Sequence, residues 1–221
     1  MQRVLRTISR LAQTLEIRWP QLSVLSVAVD PTFQLKMDVI GAKPVCLMYQ
    51  MTSDNFFAEY DPKALLGDVL YTAFLDGMHL YEYLLRDFYN TEKHCHQKSL
   101  IILHDCLPGT FEMTNREHKP AMLNKRYTNY WTGDVWKMLP ILKKYRPDLK
   151  IAYIDCPPTG LAVISNCDPM SAVLETNYLS IVEEFKESKE DLDKLKQFLS
   201  SIEILSSKEY AAEAIEAKLW A

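Results

Sequence analysis

Short apolar runs alternate along the chain with segments in which apolar residues recur at helical spacing. The runs are rich in β-branched residues and are closed by turn residues, which predicts buried strands. The predicted strands cover residues 22–29, 45–51, 68–75, 99–103, 150–154 and 161–165. Helices are predicted over residues 2–16, 78–94 and 135–145. Apolar strands that alternate with helices predict an α/β fold with a doubly wound, mostly parallel, Rossmann-like sheet.

The end of the chain differs in composition from the rest. Residues 171–221 hold 11 acidic and 6 basic residues, and neither glycine nor proline. An apolar stripe at helical spacing is formed by Leu192, Leu195, Phe198, Leu199 and Ile202. We therefore divide the chain into an α/β domain at 1–170 and an acidic C-terminal helical appendage at 171–221. The appendage is expected to dock on the domain or on a partner, such as a second copy of the chain.

The overall composition is that of a globular protein and argues against several classes. With 48% hydrophobic and 24% charged residues, the 221-residue chain can bury one sizeable core. The net charge of −4 gives no general attraction to nucleic acid or to anionic membranes. No apolar stretch is long enough to predict a membrane span. The five cysteines form no C-x-x-C pair, which predicts reduced thiols in a cytoplasmic protein.

Glycine is scarce and unevenly placed. Only 6 of the 221 residues are glycine, and the first of them is Gly41. The chain contains neither G-x-G-x-x-G nor G-x-x-x-x-G-K-[ST], the loops that hold the phosphates of dinucleotides and nucleoside triphosphates. An ordinary NAD-dependent enzyme and a Walker-type nucleotidase are therefore disfavoured.

Acidic residues follow two neighbouring predicted strands. Ligands of doubly wound sheets bind beyond the carboxyl ends of the strands, which is where Asp76 and Asp105 lie in the sequence. Two carboxylates brought close together favour a bound cation, and oxygen ligands select Mg²⁺, Mn²⁺ or Ca²⁺ over softer metals. The alternative is that each carboxylate caps the turn or helix that follows it.

Histidines accompany both aspartates. His79, three residues beyond Asp76, is placed to take a proton from a substrate hydroxyl, or else to pack or cap a helix. His104 is a rival at the end of the next strand. Because adjacent residues of a strand face opposite ways, we expect only one of His104 and Asp105 to enter the site cleanly.

A polar loop of about 20 residues precedes the most distinctive local string, WTGDVWK at 131–137. Such long loops in compact domains are usually functional or mobile. Asp134 either begins a helix, with Trp131 and Trp136 packed in the core, or covers the substrate together with the loop.

Several motifs at the predicted strand ends occur together in one known family. After a strand that ends in Asp30-Pro31, they are MTSDNFF (51–57), FLDGMHLYEYLLRDF (74–88), LIILHDCLPG (100–109), WTGDVWK (131–137) and RPDL (146–149). Over residues 20–168 the set resembles the class I S-adenosylmethionine-dependent methyltransferases. Within them it looks most like the small-molecule and sugar O-methyltransferases of polysaccharide and antibiotic biosynthesis, which implies a glycan or other small-molecule acceptor.

The resemblance implies a place for the cofactor. Asp30 looks like the carboxylate that binds the ribose hydroxyls of S-adenosylmethionine, and Ser53 and Asp54 look like its adenine contacts.

The resemblance also implies a metal site. In metal-dependent members, such as catechol O-methyltransferase, an acid ends one strand, a base follows three residues later, and a second acid ends the next strand. Asp76, His79 and Asp105 match that spacing, with Mg²⁺ or Mn²⁺ as the implied ion. The catechol enzyme has a lysine in place of His79 and an asparagine in place of Cys106.

The start of the chain departs from the family. The family's first strand ends in an acid and a Gly-rich turn that approaches the methionine part of the cofactor, but no glycine precedes Gly41. We interpret residues 2–16 as the first helix, although such an acid-poor amphipathic helix is also typical of a transit peptide. On this interpretation the first strand and the cofactor loop would be missing, through truncation, an alternative start or degeneration.

Three functional hypotheses follow. The first is an S-adenosylmethionine-dependent O-methyltransferase for a sugar or other hydroxylated small molecule, assisted by a divalent metal. The second is a binding or assembly module that has the methyltransferase fold without its cofactor loop and without catalysis. The third is a metal-dependent hydrolase or oxygenase that uses His79, His104 and Asp105.

Overall fold

The structure is a computed structural model that describes residues 4–7, 25–35, 40, 43–118, 130–208 and 218–219, the first of these ranges in its backbone only. One mixed sheet forms its centre, with the strand order β3-β2-β1-β4-β5-β7-β6-β8. The strands are β1 (Val4–Thr7), β2 (Ser26–Val29), β3 (Cys46–Tyr49), β4 (Leu70–Leu75), β5 (Cys95–His104), β6 (Lys150–Ile154), β7 (Leu161–Ser165) and β8 (Ile204–Leu205).

The direction of the strands defines the fold class. Strands β1 to β5 run parallel to one another in the order 3-2-1-4-5, which is that of a Rossmann sheet. Only β7 runs antiparallel, between β5 and β6. The predicted fold class, a doubly wound and mostly parallel α/β sheet, is confirmed.

The first strand of the sheet is present, which corrects one prediction. Val4–Thr7 lies between β2 and β4, and Val4 pairs with Ser26 on one side and Thr72 on the other. The predicted helix over 2–16 is therefore wrong at these four residues, and the first strand is not missing. A short apolar segment fits either periodicity, and the two parallel neighbours decide between them by main-chain hydrogen bonding. Residues 2–3 and 8–16 of the predicted helix lie outside the described residues, and the absence of the cofactor loop stays a prediction.

The described helices pack against this sheet. They are α1 (Ser53–Glu59), α2 (Pro62–Leu66), α3 (Tyr81–Glu92), α4 (Met138–Tyr145), α5 (Val173–Thr176), α6 (Tyr178–Glu184) and α7 (Asp191–Ser200), with 3₁₀ turns at Phe111–Thr114 and Val135–Lys137. The helices α1 and α2 were not predicted, although their sequences carry capping signals. The Thr52 side chain accepts from Asn55 N, and the Asp61 side chain accepts from Lys63 N just before Pro62 at the first helical position.

Buried side chains fall into two clusters on opposite faces of the sheet. Ile151 and Tyr153 of β6 belong to the larger cluster, whereas Ala152 and Ile154 belong to the smaller one, as strand alternation requires. The larger cluster includes α3, α4 and residues of the tail, among them Ile181. None of the helices within the described residues has the length and apolar character that crossing a bilayer would need.

The C-terminal segment docks on the domain, one of the two arrangements that the sequence left open. Lys93 pairs with Glu175 at 2.8 Å, and Lys137 pairs with Asp191 at 2.8 Å. The segment is not wholly helical as predicted, because β8 pairs with β6 and extends the sheet. The segment thus supplies both an edge strand and part of the core.

The buried carboxyl group of Asp87 on α3 should make the stability of the protein depend on pH. Burial raises the pKa of Asp87 from its ordinary 3.8 to about 7, against a hydrogen bond with Ser53 that lowers it. Between these two pH values the folded state holds a proton that the unfolded state has lost, so the free energy of unfolding falls as the pH rises. We expect Asp87→Asn to remove this contribution. The free energy of unfolding of the variant minus that of the wild type should therefore grow from pH 4 to pH 7 and stay constant above pH 7. Urea unfolding at each pH measures it.

The matched control is Asp193→Asn on the exposed face of α7. A difference curve for Asp87→Asn that is flat with pH would contradict the prediction.

Candidate active site

Two strand ends bring the candidate residues together. Leu75 of β4 pairs with Leu103 of β5, so the residues that follow them, Asp76 and His104, lie side by side at the carboxyl edge of the sheet. The prediction that these two strands are neighbours is confirmed. Asp76 and Asp105 are buried, with 4% and 1% of their surface exposed.

Asp76, His79 and Asp105 form one cluster. One ligand atom from each lies within 4.8 Å of the others. His79 Nε2 is 3.5 Å from Asp76 Oδ1 and 3.2 Å from Asp105 Oδ2. Three side chains that can bind a metal or move a proton therefore meet at one buried point.

Left-handed backbone conformations turn these side chains towards one another. Met78 and His79 have φ values of 43° and 52°, and Asp105 has a φ of 60°. Non-glycine residues rarely adopt this region, and such strain is concentrated at functional sites. The chain folds back directly after Gly77, which brings the ring of His79 over the strand ends before α3 begins at Tyr81.

The orientation of the His79 ring is set by Trp131. His79 Nδ1–H donates to the Trp131 carbonyl oxygen over 2.7 Å, and the two rings stack with centroids 5.0 Å apart. Because a carbonyl oxygen can only accept, Nδ1 carries a proton and Nε2 is the atom left to face the carboxylates. Trp131 was predicted as a core residue or part of a loop over the substrate. The structure places it against the candidate base, while Trp136 is buried.

His104 enters the cluster beside Asp105, contrary to the prediction that only one of the two would. His104 Nδ1–H lies 3.2 Å from Asp76 Oδ1 and 3.3 Å from Asp105 Oδ1. The prediction is wrong because Asp105 is not extended: its left-handed φ ends the alternation of β5 one residue after His104. Burial lowers the pKa of His104, but the hydrogen bonds to Asp105 and Asp76 outweigh it and raise the pKa to about 10.

The negative charges of Asp76 and Asp105 require a positive group between their carboxylate oxygens. Burial raises the pKa of Asp76, but the hydrogen bonds from His104 and His79 are stronger and hold it below its usual range. Burial likewise lowers the pKa of His79, and Asp76 and Asp105 raise it overall. Asp105 Oδ2 is buried and makes no hydrogen bond to the described residues. Either a proton on His79 Nε2 or a divalent cation satisfies this arrangement, so the donor set fits a metal.

Two residues next to Asp105 complete its surroundings. The Thr159 hydroxyl, on the turn between β6 and β7, donates to Asp105 Oδ1. Sequence reasoning missed Thr159, because nothing in Pro-Pro-Thr-Gly indicates which strand end this turn meets. Cys106 donates its thiol hydrogen to the His104 carbonyl oxygen. Burial, with the nearby charges of Asp105 and Asp76, raises the pKa of this thiol well above its usual value.

The residues predicted to bind the cofactor lie along the same edge of the sheet. Asp30 follows β2, and its pKa is raised by burial and by the charge on Asp76, against a hydrogen bond from Thr32 N. Both carboxylate oxygens of Asp54 bind Arg86, at 2.8 and 2.6 Å. Ser53 hydrogen-bonds with Asp87. The charges of Asp30 and Asp76 are therefore close enough to interact, whereas the side chains of Ser53 and Asp54 are engaged with α3.

Asp134 joins the loop to α3. Its carboxylate accepts from Tyr81 N, the first residue of α3, at 3.2 Å and from Arg116 Nη1 at 2.6 Å. Arg116 also pairs with Glu82. Asp134 thus lies close to the site and holds together the two segments that carry His79 and Trp131.

No protein-family model matches the chain, and no curated protein matches it. Among solved structures, the chain is similar to the SAH-bound methyltransferase PaMTH1 of Podospora anserina, with 14% identity over 76% of this chain and 72% of that one, and a TM-score of 0.47. It is also similar to a putative hemolysin from Streptococcus thermophilus, with 10% identity over 83% and 67% of the two chains and a TM-score of 0.44. The fold and the site together define the chain as a Rossmann-like α/β protein with a buried Asp-His-Asp cluster at the carboxyl edge of its sheet.

Gly133 lies where the loop that carries it closely approaches the backbone of His79. Its φ is 57°, and a Cβ atom added to it would lie 1.8 Å from the His79 carbonyl oxygen. We expect Gly133→Ala to lower the free energy of unfolding by at least about 2 kcal/mol, through left-handed strain and a backbone clash. Urea unfolding of the variant and the wild type measures the loss.

Gly133→Asn separates the two causes, because asparagine tolerates positive φ but carries the same Cβ. We expect it to remain less stable than the wild type, because the backbone clash is still present, but to be more stable than Gly133→Ala. A stability equal to that of the wild type in either variant would contradict the close approach.

Proposed function

We propose that the chain is an S-adenosylmethionine-dependent O-methyltransferase that acts on a sugar or another hydroxylated small molecule with the help of Mg²⁺ or Mn²⁺. The observation that carries this proposal is the buried meeting of Asp76, His79 and Asp105 at the carboxyl edge of a Rossmann-like sheet. The motif resemblance supports the choice of methyl transfer among the reactions that such a cluster could serve.

The proposal gives each residue of the cluster one role. Asp76 and Asp105 would hold the divalent cation, which lowers the pKa of an acceptor hydroxyl in contact with it. His79 accepts the hydroxyl proton at Nε2, because Nδ1 keeps its own proton on the Trp131 carbonyl oxygen. The methyl donor would supply an electrophilic methyl carbon, to which the acceptor oxygen would bond as the carbon–sulfur bond breaks and its electron pair stays on sulfur.

The surroundings support the transfer by positioning and by excluding water. The stacked ring of Trp131 covers one face of His79, whose side chain is 8% exposed. Asp30, at the end of β2, is the carboxylate proposed to bind the ribose of the methyl donor. Fixed geometry and a partly dry site are the usual sources of most of the rate in such transfers.

Cofactor binding is the first prediction of this proposal. We expect S-adenosylmethionine to bind saturably, with a dissociation constant below 1 mM and within the common micromolar to millimolar range. Isothermal titration with and without Mg²⁺ measures it. The absence of any heat or fluorescence change at millimolar S-adenosylmethionine, with and without Mg²⁺, would contradict the proposal for this chain.

The roles of His79 and Asp105 give the second prediction. We expect His79→Ala to lower the rate of methyl transfer about 10²- to 10⁴-fold because the general base is lost, while Mn²⁺ still binds. Asp105→Asn is expected to weaken Mn²⁺ binding, because a charged ligand is lost. Formation of S-adenosylhomocysteine with a panel of sugars and catechols as acceptors measures the rate, and a Mn²⁺ titration measures the binding.

The matched control for His79→Ala is His96→Ala, which lies at the start of β5, at the opposite end of the strand from the site. It should leave both measurements unchanged. If Mn²⁺ binding is lost in His79→Ala, then His79 is a third metal ligand and not the base.

A second candidate is a binding or assembly module without catalysis. The observation that favours it is the lack of glycine in the segment 8–25 between β1 and β2, where the family has a Gly-rich cofactor loop. Biological activity that survives both His79→Ala and Asp105→Ala would support the module. Methyl transfer that depends on these residues would contradict it.

A further inference from the structure

We infer that Thr159 is a positioning residue of this site, whose hydroxyl holds Asp105 Oδ1 so that Oδ2 is presented to His79 Nε2 and to a divalent cation. The inference rests on the proposed function, because it concerns the metal that Asp76 and Asp105 would hold. Thr159 lies on the turn after β6, which contributes none of the three residues of the cluster.

The two oxygens of Asp105 have different surroundings. Oδ1 accepts from the Thr159 hydroxyl and lies 3.3 Å from His104 Nδ1. Oδ2 is buried without a hydrogen bond to the described residues and lies 3.2 Å from His79 Nε2. A carboxylate held through one oxygen in this way leaves the other oxygen as a ligand atom.

The Thr159 hydroxyl donates to one carboxylate, that of Asp105. The single Nδ1 proton of His104 is shared, at 3.2 Å from Asp76 Oδ1 and 3.3 Å from Asp105 Oδ1. A shared proton does not by itself determine how the Asp105 carboxylate is rotated. The Thr159 hydroxyl does, because it binds one oxygen of one carboxylate.

The turn that carries Thr159 is fixed against the strand end that carries Asp105. Leu107 N donates to the Thr159 carbonyl oxygen over 2.9 Å. Gly160 has a φ of 71°, and a Cβ atom on it would lie 2.5 Å from Leu107 Cβ, so only glycine permits this approach. Thr159 is 1% exposed, so bulk water does not compete for its hydroxyl.

The test compares Mn²⁺ affinity in variants that differ in one hydroxyl group. We expect Thr159→Val and Thr159→Ala to weaken Mn²⁺ binding about 10- to 100-fold, the usual effect of losing a residue that orients a metal ligand. Thr159→Ser keeps the hydroxyl and should stay within about 3-fold of the wild type. Electron paramagnetic resonance of free Mn²⁺ measures the affinity without any methyl transfer.

The matched control is Thr91→Val on α3. Thr91 is also fully buried, but its hydroxyl has no hydrogen-bond partner within the described part of the chain. This variant loses the same group from the interior and should bind Mn²⁺ as the wild type does. If Thr159→Val fails to fold, the comparison of Thr159→Ala with Thr159→Ser still isolates the hydroxyl.

The outcomes separate this inference from the proposed function. Equal Mn²⁺ affinity in the wild type, Thr159→Ala and Thr159→Val overturns the role of Thr159 and leaves the metal site intact. If the wild type binds no Mn²⁺, the metal part of the proposed function fails and the inference falls with it. Weakened binding in the Ala and Val variants, with recovery in Ser, supports the inference.

Discussion

Two buried carboxylates, those of Asp76 and Asp105, meet at the carboxyl edge of the sheet, and much of the surrounding structure compensates their charge. Like charges in a protein interior are costly unless hydrogen bonds and positive groups surround them. His104 lies between the two carboxylates, and Thr159 binds one oxygen of Asp105. His79 Nε2 faces both aspartates at 3.5 and 3.2 Å. The remaining place in the cluster suits either a proton or a cation, which makes the site chemically useful.

The backbone around the cluster is strained, and the strain is supported from several directions. Of the four non-glycine residues with positive φ in the described part of the chain, Met78, His79 and Asp105 lie at this site. Gly133 lets the loop that carries Trp131 approach the His79 carbonyl group. Gly160 lets the β6–β7 turn approach Leu107, two residues after Asp105. Strained residues persist where the surrounding contacts overdetermine them. Two of the six glycines of the chain therefore serve the site, although none of the six lies where a phosphate loop would need one.

The C-terminal segment also contributes to the site, through a chain of charges. Lys137 is 2% exposed and pairs with Asp191 at the start of α7. Lys137 Nζ is also 3.4 Å from Asp134, which binds Arg116 and the first N–H group of α3. The segment thus neutralises a buried lysine next to the loop that carries Trp131.

The amino-acid sequence was enough to predict the α/β class and the meeting of Asp76, His79 and Asp105 at the strand ends, because apolar periodicity and strand-end chemistry are local properties. It could not identify β1, because four residues fit either periodicity until neighbouring strands pair with them. It also could not show that His104 and Asp105 share one site, or that Trp131 and Thr159 belong to it. Those contacts depend on left-handed turns and on distant segments that the sheet brings together, so they follow from the three-dimensional fold and not from any local stretch of residues.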